Sequence, residues 1–105
     1  MNYIERSKNC ITYYRDGLRH REDGPAVEWH DGSVVYCRDG LRHREDGPAE
    51  EYVGGWRAWW VNGKRHREDG PAVESADGDA EWWFNGIQYS KEEYMLLMFF
   101  GVKDV

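Results

Sequence analysis

Three histidines, His20, His43 and His66, recur every 23 residues, and each is followed by Arg-Glu-Asp. Together with His30 they are the side chains best suited to holding a metal, because imidazole is a common metal ligand. A metal–nitrogen bond spans only about 2 Å, and residues a whole repeat apart lie several strands from one another. His20, His43 and His66 therefore read as structural, each expected to pack on an aromatic residue across the ladder. The carboxylate pairs Glu22-Asp23, Glu45-Asp46 and Glu68-Asp69 have the composition of a glycosidase site. A catalytic pair needs one privileged position, however, and these recur identically beside Gly-Pro. They read as turn capping and as partners for arginine. Cys10 and Cys37 are the only cysteines, which gives neither a zinc ribbon nor a disulfide framework. Cys37 stands where Tyr14, Trp60 and Trp83 stand in other repeats, so packing is its expected role. The chain carries no phosphate loop, dinucleotide fingerprint or nucleophile elbow. The expectation is a protein without catalytic residues, cofactor or metal.

The elements that hold these side chains follow from the repeat itself. The stretch Asp16-Gly17-Leu18-Arg19-His20-Arg21-Glu22-Asp23-Gly24-Pro25-Ala26 returns at Asp39–Ala49 and again at Asn62–Ala72, and a fourth copy starts at Asn85-Gly86. Two turn signals mark each unit. Asp16-Gly17, Asp39-Gly40, Asn62-Gly63 and Asn85-Gly86 form the first set. Asp31-Gly32, Gly54-Gly55 and Asp77-Gly78 form the second. Such dipeptides favour type I′ hairpins, whose two central residues need positive φ. The intervening segments are rich in aromatic and β-branched residues. Pro25, Pro48 and Pro71 interrupt the ladder once per unit, because proline cannot donate. Two-residue turns predict that Trp29 faces Val34 and Val27 faces Tyr36. They also place His20, His43 and His66 opposite Tyr13, Tyr36 and Trp59, with arginines meeting glutamates of a neighbouring strand.

The fold class this implies is mainly β: tandem 23-residue hairpin repeats in an elongated antiparallel meander sheet, with a C-terminal capping helix. Residues 1–105 form a single repeat domain, with hairpin repeats over 10–89 and a helix over 90–100. Ser90-Lys91-Glu92-Glu93 is a capping box, and Gly101 is a stop signal. The apolar residues Tyr94 to Phe100 run all round that helix. Tyr94, Leu97, Met98, Phe99 and Phe100 are therefore candidates for an oligomer interface, with a two-fold homodimer as the first expectation. Among the four paired tryptophans, adjacent residues point to opposite faces, so one face displays large rings beside glutamates. Trp60, Trp83, Glu51, Glu74 and Glu81 are the candidates for binding another protein. A net charge of −6 argues against direct nucleic-acid binding, which needs a basic stripe. Met1 to Cys10 is polar and no apolar run is long enough to span a bilayer. The expectation is a cytoplasmic protein that does not enter membranes.

The period, the glycine-containing hairpin turns and the aromatic pairs resemble the MORN repeats. The resemblance is closest to a variant unit that appears here as Trp59-Trp60-Val61-Asn62-Gly63-Lys64-Arg65-His66-Arg67-Glu68-Asp69-Gly70-Pro71-Ala72, and it covers roughly residues 10 to 89. It implies an antiparallel β-hairpin array and fixes no activity, since such repeats serve as scaffolds and as binding surfaces. The variant occurs in bacterial, phage and giant-virus proteins. That company, with the acidic charge, implies a phage-encoded inhibitor of a host defence system, such as an anti-CRISPR protein. Its partner would be a basic nucleic-acid-binding subunit, occluded by an acidic face. The alternative is a structural homo-oligomeric repeat scaffold with no inhibitory role.

Overall fold

Short strands punctuated by glycine turns lay down an antiparallel meander, as the repeat requires. The computed structural model describes residues 1–101. Strands β1 (Asn2–Arg6), β2 (Cys10–Arg15) and β3 (Leu18–Arg19) open the chain. The first full repeat holds β4 (Val27–Trp29), β5 (Val34–Val35), β6 (Cys37–Arg38) and β7 (Leu41–Arg42). The second holds β8 (Glu50–Glu51), β9 (Arg57–Ala58), β10 (Trp60–Val61) and β11 (Lys64–Arg65). Then come β12 (Val73–Glu74), β13 (Ala80–Phe84), β14 (Ile87–Tyr89) and helix α1 (Lys91–Phe100). The main sheet runs β1-β2-β4-β5-β8-β9-β12-β13-β14, with β3 on β2, while β6-β7 and β10-β11 form separate hairpins. The molecule measures 46 × 30 × 17 Å, so it is thin in one direction.

The two kinds of turn differ in a way that resets the register. Asp16, Asp39, Asn62 and Asn85 have φ near +50°, and the glycine after each is also positive. These are two-residue type I′ turns, and Tyr14 pairs with Arg19 and Cys37 with Arg42 as that geometry demands. At the second turn only the glycine is left-handed: Gly32, Gly55 and Gly78 have φ of 100°, 98° and 91°. The Gly32 N–H donates to the Trp29 carbonyl, and the Trp29 N–H donates to Ser33. The loop is thus three residues, a type I turn closed by a left-handed glycine. The consequence is a register one residue away from a two-residue expectation: Val27 faces Val35 and Glu28 faces Val34. That slip places Val27 and Val35 together in the core.

The core is narrow and fits a thin molecule. Ala26, Ala49, Ala58 and Ala72 are completely buried, and Val27, Val35, Cys37 and Val73 are nearly so. Small side chains let successive strands and reset loops approach closely. One position breaks the pattern. Val27 and Val73 are repeat equivalents, but Glu50 lies between them in the series and is 5% exposed. Its carboxylate accepts from Tyr52 Oη at 2.8 Å and lies 3.1 Å from Arg42 Nε. Burial and the Glu50 carboxylate push the Tyr52 phenol up. Because Arg42 stays partly in solvent, it loses little when its partner is removed, and a buried ion pair is a weak stabiliser compared with good apolar packing. Glu50→Val is therefore expected to raise stability by about 1 kcal/mol. Urea denaturation would check this; a lowered midpoint would show that the Arg42–Glu50–Tyr52 contacts hold the second repeat in place.

Strand β1 has no counterpart in the repeat. It pairs with β2 along its full length, Asn2 opposite Arg15 through Arg6 opposite Ile11. Tyr3 stacks on Tyr14 with ring centroids 4.8 Å apart. It closes the edge that a half repeat leaves open. At the other end, Ser90 caps α1: its hydroxyl accepts from the Glu93 N–H, and the Glu93 carboxylate accepts from the Ser90 N–H. These bonds hold the Glu93 carboxyl below its ordinary range. Gly101, with φ 67°, ends the helix in the left-handed form.

Candidate protein-interaction surfaces

Each Glu-Asp-Gly-Pro loop is built around an arginine. Arg21 Nε donates to Asp23 at 3.0 Å, and its Nη1 donates to the Pro25 carbonyl and to Glu28, each at 3.2 Å. The guanidinium also lies over the Tyr13 ring, 4.0 Å from its centroid. Arg44 repeats the set with Asp46, the Pro48 carbonyl, Glu51 and the Tyr36 ring. Arg67 does so with Asp69, the Pro71 carbonyl and the Trp59 ring, while Glu74 stands off at 3.7 Å from its Nη1. A Cβ at Gly24, Gly47 or Gly70 would come within 2.9 to 3.1 Å of the guanidinium carbon. The loop sequence thus has one physical explanation: Asp binds the fork, Gly lets it approach, and Pro presents its carbonyl.

The histidines do a different job from the one their pairing suggests. His20, His43 and His66 donate their backbone N–H to Tyr13, Tyr36 and Trp59, but the group over those aromatic rings is arginine. The imidazole Nδ1 accepts from the backbone N–H of Asp39, Asn62 and Asn85, each at 2.9 Å. Those are the first residues of the next repeat's type I′ turns. Each histidine therefore joins one hairpin to the next, and in the neutral ring the proton sits on Nε2. His66 additionally packs on Phe84, 4.6 Å between centroids. Pro25, Pro48 and Pro71 all lie in the arginine-centred loops described above.

The candidate binding residues divide between two places. Trp60, Trp83 and Glu81 come together on the hairpin face. Arg65 lies between the two indoles, 5.3 Å from Trp60 and 5.2 Å from Trp83. Glu81 accepts from Trp83 Nε1 at 2.9 Å and from Arg65 at 3.4 Å. Arg42 extends this alternation of rings and cations past Trp60. Glu51 and Glu74 lie elsewhere, paired to Arg44 and to Arg57 and Arg67. Cys37 occupies the repeat position of Trp60, where burial pushes its thiol up and leaves it a poor nucleophile.

Helix α1 lies over the last repeat. Tyr94 and Leu97 are buried against this chain's own structure. The Tyr94 ring packs on Trp82 at 5.0 Å between centroids, and its hydroxyl donates to the Arg67 carbonyl and accepts from Gly70 N–H. Burial pushes the Tyr94 phenol up. Trp82 is the repeat equivalent of Trp59, and Ser90 stands where Arg67 would recur. Tyr94 thus covers the ring that a missing arginine leaves bare. Met98 is half-buried beside Met95 and Trp82, whereas Phe99 and Phe100 are 73% and 74% exposed.

No helix among the described residues is long and apolar enough to cross a membrane. Compared with protein families, with curated proteins and with solved structures, the chain matches none of them.

Proposed function

We propose that this chain is a non-enzymatic protein-interaction module that inhibits its partner by covering it. The observation that carries this reading is the exposed apolar end of α1. Phe99, Phe100 and Leu96 lie open, and Phe99 borders a groove lined by Trp82 and Met98. Large rings held on a rigid element in this way are what interface anchors use. The Trp60–Arg65–Trp83 face supplies a second patch of the same chemistry. The net charge of −6 favours a basic partner, such as the nucleic-acid-binding subunit of a host defence nuclease. In that setting the chain is a phage-encoded anti-defence protein of the anti-CRISPR kind, working in the host cytoplasm. A second reading, a homodimeric scaffold, draws on the same exposed phenyl rings, which a second copy could cover by two-fold symmetry.

Size-exclusion chromatography with light scattering tests the placement of this surface. A wild-type dimer that Phe99→Asp with Phe100→Asp splits into monomers of unchanged melting temperature would give the phenyl rings to a second copy and leave the Trp60–Arg65–Trp83 face as the partner surface. A monomeric wild type would remove the self-interface and leave the phenyl rings to another protein. A pull-down from a host lysate then tests inhibition: recovery of a basic nuclease subunit that stops cutting supports it, and recovery of no stable partner overturns it.

A further inference from the structure

Four grooves follow one another along one edge of the array, and their floors are repeat-equivalent rings. The first lies between β1 and the first Glu-Asp-Gly-Pro loop, the second and third lie between successive loops, and the fourth lies between the last loop and α1. The fourth is apolar. The first three are lined by arginines (Arg15, Arg21, Arg38, Arg44 and Arg67) and by more exposed acids: Glu22, Glu45 and Glu68 have side chains about three-quarters exposed, and the aspartate beside each is more exposed still. The aspartates are held by arginines of their own loops. Among the described residues, Glu45 and Glu68 have only a histidine within ion-pair distance.

Those histidines supply a second, independent feature. His20 and His43 line the first and second grooves, their side chains are 5% exposed, and their buried Nε2 atoms have no hydrogen-bond partner among the described residues. Because Nδ1 accepts a backbone N–H, Nε2 carries the proton. The nearest carboxylate oxygens stand at 3.7 and 3.8 Å, outside hydrogen-bond range. The first two grooves thus each have an N–H donor without an acceptor just beneath the wall, closed off from solvent under a carboxylate that stays out in it, so a ligand reaches the donor by displacing the side chains above it. A ligand that satisfies both must carry a positive charge and a nearby hydrogen-bond acceptor. A bare polyamine has no acceptor. A metal ion has no ready site, for no group of three or more His, Cys, Asp or Glu among the described residues could hold one. A polypeptide has both, as Lys or Arg side chains and backbone carbonyls.

The spacing narrows the choice further. Each repeat adds two strands to the main sheet, and neighbouring strands lie about 4.8 Å apart, so the grooves step by roughly 10 Å. An extended polyproline II segment returns a side chain to the same side every third residue, about 9.3 Å along. We propose that this edge binds a basic extended segment of a partner protein, with every third side chain a Lys or Arg entering between successive Glu-Asp pairs. Backbone carbonyls of the segment take the Nε2–H groups of His20 and His43. This assignment rests on the interaction-module reading above and gives it a surface and a partner chemistry.

The probe is a fluorescein-labelled synthetic peptide of four Pro-Pro-Arg triplets, read by anisotropy at roughly 50 to 200 mM salt. Wild type is expected to bind it, and the triple variant Glu22→Gln, Glu45→Gln, Glu68→Gln to bind about tenfold more weakly. These glutamates do not hold the loops together, so the variant should keep the wild-type melting temperature. A charge-matched control, Asp77→Asn, Asp79→Asn, Glu92→Gln, is expected to stay within about twofold of wild type. A peptide of the same composition with its arginines clustered at one end should bind at least about fivefold more weakly. Equal losses in both triple variants would reduce the effect to net charge and overturn the proposal. So would equal binding of the clustered peptide, or no binding by wild type at about 100 µM. If the Glu→Gln triple still captures the lysate partner while the Phe99→Asp, Phe100→Asp variant does not, the interaction reading stands and this edge is not its surface.

Discussion

Tyr94→Ala is expected to lower the unfolding free energy by about 4 kcal/mol, in the range for removing a fully buried aromatic ring. Three things are lost together. The ring that covers Trp82 disappears, and a cavity opens between α1 and β13. The Arg67 carbonyl and the Gly70 N–H lose the hydroxyl that joins them. The helix also loses one of its two buried residues, and a ten-residue helix is too short to persist on capping alone. For a chain of this size such a loss lowers the melting temperature by roughly 15–25 °C. Tyr94→Phe keeps the ring and should cost only about 1–2 kcal/mol. Urea denaturation followed by circular dichroism reads both. An alanine variant within about 1.5 kcal/mol of wild type would mean that α1 contributes little to the fold.

Arg44→Ala is the second large effect, with an expected cost of about 3 kcal/mol. The guanidinium binds Asp46, the Pro48 carbonyl, Glu51 and the face of Tyr36 at once. The side chain is about one-quarter exposed, which discounts the ion pairs but not the carbonyl bond or the ring contact. Arg44→Lys should recover less than half of the loss, because an ammonium cannot present a planar fork to three acceptors and a ring. Thermal melts of the two variants test this; equal stability of Arg44→Lys and wild type would show that charge alone is enough. As a central repeat is damaged, the melt is also expected to broaden, since each unit touches mainly its neighbours.

Much of the architecture is legible in the residues because local chemistry repeats. Asp16-Gly17 and its equivalents must turn in the left-handed region, and Ser90 with Glu93 must start a helix. What escaped was the length of the second turn. Asp31-Gly32 has the same letters as Asp16-Gly17, but only Gly32 takes a positive φ, and His30 joins the loop. The dipeptide alone does not distinguish the two. Strand β1 escaped for a related reason: its residues are all exposed, so it carries no apolar alternation. The partner of the aromatic rings was missed between adjacent residues, His20 and Arg21, which face opposite sides. The usable signal was the invariant Gly-Pro after each Arg-Glu-Asp, since glycine beside a long cation marks a close backbone approach. Glu50 carried another signal, a charge in a series otherwise filled by Val27 and Val73. Of the candidate surfaces, the Trp60–Trp83 clustering follows from the period. The division of α1 into a buried side and an open tip does not, because its apolar residues surround the helix.

The bond from each histidine to the first turn residue of the next repeat makes the array extensible. A unit finds its Nδ1 acceptor on the preceding unit and offers its own to the following one, so every interior unit is complete at both junctions. Length can therefore change in whole steps of one unit without a redesigned joint, provided the two special ends, β1 and α1, stay in place. Gene duplication within such a chain would alter the number of equivalent contacts it presents while leaving the chemistry of each contact the same. If the repeated edge binds a partner as proposed, such a protein would adjust its grip by valence.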